Sequence, residues 1–430
     1  MSLTRPTPNR PEPYGTLTHP PRLGHAGAIA PTLMPAADGV DEWPYFQLFG
    51  AEPLADTRGY MDESAIVKVT ADGVDLNSIW TEVQTTLGIY NEQRAAVAAL
   101  VSYPTTLPAD AVPQSLSAMN FEEASEYGVP QGVRLPNEAL KVGYTLRDFD
   151  LTSRATWKFL RDSDSRQVEA LFASVIEADN RKVNTSILGR LFDPAQKSNE
   201  YENPVYALYT GTDGITPPPY LGREFPTTTS HYIASGGTVI DSSDVEDAAR
   251  LVTTKGYGRQ AGSKMLLLVN PQEAEQVQTW RAGKTNGADP TAVGAIVAKH
   301  DYIPSQGAPA YLEPMGVIVG QPVPAQFNKL PVLGSYGELL VIQSEFIPQG
   351  YFTVVASGGP SSDVNPVAVR QHTNAAYRGL RLIPGKTPGY PLQDSFFARQ
   401  FGVGIRHRGA AACVQVTAGA AYTAPATLKW

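Results

Sequence analysis

The feature that most constrains the fold is an alternating segment near the end of the chain, "FGVGIRHRGAAACVQVT", which runs from Phe401 to Thr417. Read with a period of two, its apolar side chains point to one face and the other face takes Gly402, Gly404, Arg406 and Arg408. A typical strand has about 5–6 residues. The pattern here predicts one strand from Phe397 to about Thr417, with a bend at Gly409. A strand of that length is longer than a compact domain of this size usually needs.

A predicted helix of unusual length begins after Asp164 and ends at Asp193-Pro194. Asp164 and Gln167 have the spacing of a capping box, in which each side chain bonds the other's backbone. Apolar side chains then recur at steps of three and four residues, as on one face of a helix: Val168, Leu171, Phe172, Val175, Ile176, Val183, Ile187 and Leu191. At 1.5 Å per residue, roughly 28 residues make a helix of about 42 Å, which spans a whole domain.

Two elements are predicted before the long helix. Residues 76–101 have the periodicity of a helix that Asn77 caps and that Tyr103-Pro104 stops. From residue 118 to 161 the pattern is extended, with a turn at Gly128–Gly132 and one long return strand at Leu140–Leu160. This stretch predicts an extended hairpin that has few core contacts of its own.

After the long helix, short elements follow one another. Ser243 and Glu246 have the spacing of a helix start, and Lys264–Asn270 predicts a buried strand. Asn270 is expected to cap the next helix, which has a proline at its first position. Residues 284–350 alternate short strands with glycine and proline turns. Together these elements indicate an α+β fold.

The first 50 residues are rich in proline and have no periodic apolar pattern. A segment of this composition cannot bury enough apolar surface to fold alone. We therefore expect an arm that lies on the body of its own chain or on a neighbouring molecule.

Charge and composition argue against several classes of protein. The formal net charge of −8 disfavours a sequence-independent nucleic-acid binder, which needs a basic face. The single cysteine, Cys413, excludes an intramolecular disulfide and is interpreted as a small buried apolar side chain. Residues 1–25 lack the apolar core of a signal peptide, and no apolar run is long enough to cross a bilayer. We expect a soluble protein made in the cytosol, with no membrane partner.

No pattern in the chain indicates an enzyme. Gly256–Gly262 resembles a dinucleotide fingerprint, but it has one residue too many before its third glycine and follows a predicted helix. The six histidines lack metal-ligand spacing with one another or with Cys413. We therefore predict no catalytic residue, no metal and no cofactor. A triad assembled through space leaves no sequence signal, so a β-rich enzyme stays an alternative.

The segment from Asn365 to Thr417 resembles the C-terminal region of major capsid proteins of tailed phages that infect actinobacteria. Those families carry similar strings of the form R-x-H, GLRL, YPL-x-DS-[FY] and FG-x-G-x-R-x-RGA before a final alternating strand. The matching residues here are Arg370, His372, Gly379–Leu382, Tyr390–Leu392, Asp394–Phe396, Phe401, Gly402, Gly404, Arg406 and Arg408–Ala410. "LLLVNPQEAEQVQTW" and "VIQSEFIPQGYF" are similar to elements of the family's axial domain. The resemblance covers residues from about 118 to 420.

The resemblance implies the Hong Kong 97 type of shell fold, divided into five parts. These are an N-terminal arm with a helix (1–117), an extended loop hairpin (118–161), a spine helix with the peripheral domain (162–260), an axial domain (261–355), and a return to the peripheral domain with the long C-terminal strand (356–430). It also implies a structural protein that self-assembles into hexamers and pentamers of an icosahedral head enclosing double-stranded DNA.

The implied partners are further copies of the chain and scaffolding, portal and decoration proteins. Packaged double-stranded DNA would be held without sequence-specific contact. The implied location is the virion, with assembly in the host bacterial cytoplasm. An encapsulin-like compartment shell, which has the same fold, is the alternative within this fold.

Four arginines are candidates for contacts between subunits. Arg406 and Arg408 are predicted on one strand face, beside two glycines that let another backbone approach closely. Arg134 and Arg147 belong to the predicted hairpin. For Arg406 and Arg408, the alternative is an ordinary ion pair within the same chain or exposure to solvent.

Overall fold

The computed structural model describes most of the chain from residue 69 onward. The described residues are 69–92, 96–113, 121, 123, 126, 128, 139–213, 216–218, 220, 223–259, 262–289, 291, 295–307, 322–384 and 392–428. They all fall in one unit, Phe46–Trp430. The predicted arm at 1–50, the predicted turn at Gly128–Gly132 and Arg134 therefore lie wholly or mainly outside the described residues.

The helices and strands within these ranges are numbered in chain order. The helices α1 to α6 are Leu76–Glu92, Ala96–Val101, Trp157–Asp162, Ser165–Phe192, Ser242–Thr253 and Pro271–Gln278. The strands β1 to β10 are Ser102–Thr105, Ala109–Pro113, Ala139–Gly143, Arg147–Thr156, Lys197–Ser198, Pro204–Val205, Tyr232–Ala234, Lys264–Val269, Thr285–Asn286 and Ile296–Val297. The strands β11 to β20 are Tyr302–Pro304, Gln326–Phe327, Leu330–Pro331, Gly334–Tyr336, Leu339–Gln343, Tyr351–Ser357, Val367–Arg370, Leu380–Pro384, Leu392–Ile405 and Ala411–Gln415.

The 14-residue strand β19 organises a five-stranded sheet. All ten residues of β4 pair antiparallel with its first part, from Leu392 to Phe401. The strands β18 and β17 also pair antiparallel with it, and β1 lies parallel to β17. The predicted long C-terminal strand is therefore confirmed as far as Ile405.

Its predicted continuation to Thr417 in the same strand is wrong. The chain turns at Arg406–Ala410, and β20 joins a second sheet between β16 and β7. The backbone N–H of Ala410 donates to the carbonyl of His407 across this turn, at 3.1 Å. The chain is buried on both sides of the turn, so its mostly small and apolar residues show no break in pattern where it changes sheet.

The second sheet has seven strands in the order β11-β14-β15-β8-β16-β20-β7. The predicted buried strand Lys264–Asn270 is confirmed as its centre, β8. Leu266 and Leu268 face one hydrophobic core, whereas Met265, Leu267 and Val269 face another. A strand covered on both faces needs apolar side chains at consecutive positions, which explains the uninterrupted run. The helix after it, α6, is also confirmed, with the Asn270 side chain accepting from Gln272 N at 3.2 Å.

The predicted long helix is confirmed as α4, which has 28 residues and ends before Asp193. Its N-terminal half contributes Val168, Phe172 and Val175 to a core shared with α1 and β19. Its C-terminal half contributes Ile187 and Leu191 to the core between the two sheets. Asp164 caps the helix as predicted, but its side chain accepts from Arg166 N. Because α4 takes part in both cores, it joins the two sheets as a spine.

The helix predicted at 76–101 is confirmed where the chain is described, as α1 and α2 on either side of residues 93–95. Two other predicted elements differ from the structure. The predicted return strand Leu140–Leu160 is three elements, β3, β4 and α3, because β4 leaves the hairpin to pair with β19. The helix predicted to start at Ser243 is α5, and Asp241 forms the capping box with Asp244. Glu246 instead accepts from the Tyr336 hydroxyl at 2.7 Å, a tertiary contact that its spacing does not show.

Among the described residues, no helix is both long enough and apolar enough to cross a membrane.

Candidate functional site

The two glycines of β19 allow a close backbone approach, as the alternating pattern predicted. A Cβ on Gly402 would stand 1.7 Å from the carbonyl oxygen of Thr145, and one on Gly404 would stand 2.8 Å from that of Gly143. The approaching backbone belongs to the same chain: it is the connection from β3 to β4. Thr145 N donates to Val403 O at 3.3 Å, and Val403 N donates to the Thr145 hydroxyl at 3.0 Å. The glycines thus let the return of the hairpin cross the sheet.

Arg408 is buried within its own subunit, with 4% of its side chain exposed. Its Nη2 pairs with the Asp213 carboxylate, and its Nε donates to Ala207 O at 3.0 Å. The guanidinium also lies over the rings of Tyr206 and Tyr209, at 5.0 and 5.6 Å from their centroids. These contacts pair the Arg408 charge within its own chain. Pairing within the chain is the alternative that the sequence left open for this residue.

Arg406 lies at the surface and contacts the base of the extended hairpin. Its Nε is 3.2 Å from the Asp110 carboxylate on β2, and 37% of its side chain is exposed. The same carboxylate oxygen accepts from the Tyr144 hydroxyl at 3.0 Å, and Tyr144 lies 3.4 Å, oxygen to oxygen, from the Tyr103 hydroxyl. Burial raises the pKa of Tyr144 above its usual range, so its hydroxyl stays a donor.

The predicted common strand face of Arg406 and Arg408 is therefore wrong. Both residues lie after the end of β19, in the turn between the two sheets, and they contact different carboxylates. Arg147 is exposed at the first position of β4, opposite Phe401. Arg134 lies outside the described residues. A contact with a neighbouring subunit stays a prediction for these arginines.

The turn between the sheets is also held by a buried histidine, His231, next to β7. Its Nδ1 is 2.7 Å from Ala411 O, so Nδ1 carries the proton and donates. Its ring stacks on Phe225 with centroids 5.9 Å apart, and its Nε2 is buried without a hydrogen-bond partner. Burial, together with the charges of Lys255 and Arg408, lowers the pKa of His231 from 6.5 to about 4. A second proton, on the buried Nε2 of His231, would have no hydrogen-bond acceptor.

This neutral histidine predicts a loss of stability in acid. The folded pKa is below the unfolded one, so the contribution of His231 is complete above pH 6.5 and is lost as the pH falls towards 4. Over that interval the loss amounts to about 3 kcal/mol. In His231→Asn the amide can still donate to Ala411 O but does not titrate. We expect urea unfolding at pH 7, 6, 5 and 4 to show a flatter decline for the variant; equal declines would contradict the assignment.

Sequence reasoning missed two further arginines that are held inside the chain, Arg190 and the partly buried Arg399. Arg190 is fully buried at the end of α4, where it donates to Asp193 O and Ala195 O at 3.1 and 3.0 Å. Arg399 on β19 pairs with Asp179 of α4, which also accepts from the Tyr90 hydroxyl at 2.8 Å. The spacing of Arg190 and Asp193 at the helix end is a signal that could have been used. Asp179 and Arg399 are 220 residues apart, and no local pattern links them.

The described residues contain no group of three or more histidine, cysteine or carboxylate side chains that could hold a metal ion. Cys413 is fully buried, as predicted, and burial raises the pKa of its thiol to about 12.

A cavity of about 150 Å³ beside Arg399 is lined mainly by α4, α1 and the five-stranded sheet. Both arginines that line the cavity already have partners: Arg399 pairs with Asp179, and Arg378 donates to His372 O and Thr373 O. What the geometry brings together is a set of ion pairs and hydrogen bonds that link distant elements of the chain.

Comparison with known proteins identifies the family. A chain solved from Mycobacterium phage Patience is 39% identical, with a TM-score of 0.63, over 86% of this chain and 96% of that one. The mature capsid of bacteriophage PhiM1 matches over 76% of this chain and 88% of that one, at 9% identity and a TM-score of 0.44.

An encapsulin complex from Synechococcus elongatus matches over 79% of this chain and 97% of that one, at 10% identity and a TM-score of 0.38. No family model and no curated protein matches. The phage relative, at 39% identity over most of both chains, shows that the family is that of phage shells. The chain belongs to the major capsid proteins of tailed phages that infect actinobacteria and has the Hong Kong 97 shell fold.

Proposed function

We propose that the head built from this major capsid protein encloses double-stranded DNA without sequence-specific contact. The protein itself is a structural subunit that self-assembles into the hexamers and pentamers of an icosahedral head, and it belongs to the virion. The similarity to the phage relative along 86% of the chain carries the proposal. The net charge of −8 disfavours a basic surface that binds the DNA tightly, which fits a shell that encloses the DNA without holding it at specific sites.

The same proposal includes the finer points of assembly. Portal, scaffolding and decoration proteins are the partners, assembly takes place in the host bacterial cytoplasm, and the subunit has no enzymatic activity. The five parts at 1–117, 118–161, 162–260, 261–355 and 356–430 are the functional divisions of the tile. The antiparallel pairing of β2 and β3 is evidence for an extended loop between them. The contribution of α4 to two hydrophobic cores is evidence for its role as the spine.

We further propose that the proline-rich arm and the extended loop lie across neighbouring subunits. The composition of residues 1–50 supports this, since such a segment cannot form a core of its own. Surface that is buried only in the assembled shell makes the stability of each subunit depend on its neighbours.

Electron micrographs of the purified protein test this function. We expect closed, regular particles from the full chain, because shell formation is the established property of its family. Deleting residues 1–40 should leave soluble capsomers or aggregates, since the arm then cannot reach a neighbour. Single unassembled subunits from the full chain would contradict the function, whereas normal, fully stable shells from the truncated chain would contradict only the role of the arm.

A further inference from the structure

We infer that Arg406 is a positioning residue for the extended loop, acting through Asp110 of its own subunit. This inference rests on the proposed role of that loop in reaching a neighbour. The relevant group consists of Arg406, Asp110 and Tyr144, which we call the loop anchor. Its members come from three places in the chain: the turn after β19, the strand β2, and the residue that follows β3.

The loop anchor lies where the hairpin leaves the body. Asp110 is the second residue of β2 and pairs with Val142 of β3. Tyr144 is fully buried in a small cluster with Tyr103, Val142 and Tyr206, and its backbone N–H donates to Pro108 O at 3.0 Å. The Asp110 carboxylate reaches from the hairpin to Tyr144 and to Arg406, so it links both strands of the hairpin to the end of β19.

Arg406 is itself fixed to the body rather than to the hairpin. Its backbone N–H donates to Pro366 O at 3.0 Å, immediately before β17. The next residue, His407, has its Nε2 2.8 Å from Asp363 O. Asp110 belongs to the paired strand β2, and Arg406 is held to the body by its backbone bond directly after β19, so the ion pair helps to set the angle between hairpin and sheet.

A small change of that angle has a large effect at a distance. Residues 114–138 are the 25 residues between β2 and β3. Extended chain spans at most about 40 Å over about 12 residues, so a rotation of about 5° at the base would displace a point at that reach by about 3–4 Å. A contact with a neighbouring subunit that depends on side-chain packing does not tolerate a shift of this size.

The test is a double-mutant cycle read by hydrogen exchange. The variants are Arg406→Gln, Asp110→Asn and the combination, each in the full chain, both as shells and as subunits dissociated from them. Asn at position 110 keeps an acceptor for the Tyr144 hydroxyl, so folding should be retained. We expect amide exchange in 109–113 and 139–143 to accelerate about 3- to 10-fold in each single variant. The double variant should be no faster than either single one.

Two comparisons make the result specific. Arg406→Lys should recover part of the slow exchange, because it restores the charge without the guanidinium geometry. Arg250→Gln breaks an exposed ion pair with Asp247 on α5 and should leave the hairpin unchanged. Additive effects of the two single substitutions would overturn the inference, because the two residues would then act independently. Unchanged exchange in the dissociated subunit would also overturn it and would indicate a contact between subunits instead. If the wild-type chain formed no shells, the proposed shell function would be wrong. Hydrogen exchange in the soluble protein would still show whether Arg406 holds the hairpin through Asp110.

Discussion

Phe172→Ala is expected to lower the free energy of unfolding by about 3–5 kcal/mol, because it removes a buried aromatic ring and leaves a cavity. Phe172 is 5% exposed in the core that α4 shares with α1 and β19. Its ring meets that of Phe397 edge to face, with centroids 6.1 Å apart. Phe397 is central to β19, so the loss weakens the attachment of the spine helix to the five-stranded sheet. We expect fewer particles rather than particles of another shape.

Urea unfolding of the soluble subunit and particle yield check this result together. Ile176→Ala, on the same helix but only partly buried, should cost less than Phe172→Ala. Glu177→Ala is the surface control, since 76% of that side chain is exposed and surface substitutions usually change stability by about 0.5 kcal/mol or less. Equal stability of Phe172→Ala and Glu177→Ala would show that the helix does not bury this face in the assembled protein.

Arg190→Met is expected to destabilise the protein by about 1–3 kcal/mol, the cost of leaving buried acceptors without their donor. Methionine fills a similar volume but leaves Asp193 O and Ala195 O without the guanidinium that bonds them at the end of α4. Cations also stabilise the carboxyl end of a helix by interaction with its dipole. The end of α4 lies in the core between the two sheets, so fraying there loosens both.

Thermal melting of Arg190→Met and Arg190→Lys distinguishes charge from geometry. Lysine keeps the charge but cannot bond two carbonyls with one rigid planar group, so an intermediate melting temperature is expected. Arg181→Met is the matched control on the same helix, because 64% of the Arg181 side chain is exposed and its partner Glu177 is also at the surface. A melting temperature for Arg190→Met equal to that of Arg181→Met would mean that the buried arginine contributes nothing to stability.

Elements with strong local signals were predicted closely. The limits of α4 follow from a run of apolar side chains at helical spacing between Asp164 and Asp193-Pro194. The strand β8 and the helix α6 follow from an apolar run next to an asparagine cap and a proline. In each case the residues that decide the structure are neighbours in sequence, and the backbone rules that they obey do not depend on the rest of the chain.

The predictions that failed depend on contacts between distant residues. Glu246 was predicted to take part in a helix start together with Ser243. In the folded chain its carboxylate instead accepts a hydrogen bond from the hydroxyl of Tyr336, 90 residues away. The alternation around Arg406 and Arg408 could not show that the chain passes from one sheet to another, since both sheets bury the segment. Gly402 and Gly404 were correctly predicted to permit a close approach, but only the fold shows that the approaching backbone is that of Gly143–Leu146.

The sequence by itself determined the local elements and, through its resemblance to a known family, the kind of protein. Periodicity and caps act over a few residues, so α4, β8 and most of β19 could be read directly from the chain. Only the tertiary structure decided the partners of the charged side chains: Asp213 for Arg408, Asp110 for Arg406 and Asp179 for Arg399. The physical reason is that an ion pair needs two side chains within a few ångströms, and which carboxylate comes that close depends on how the sheets and the spine helix pack.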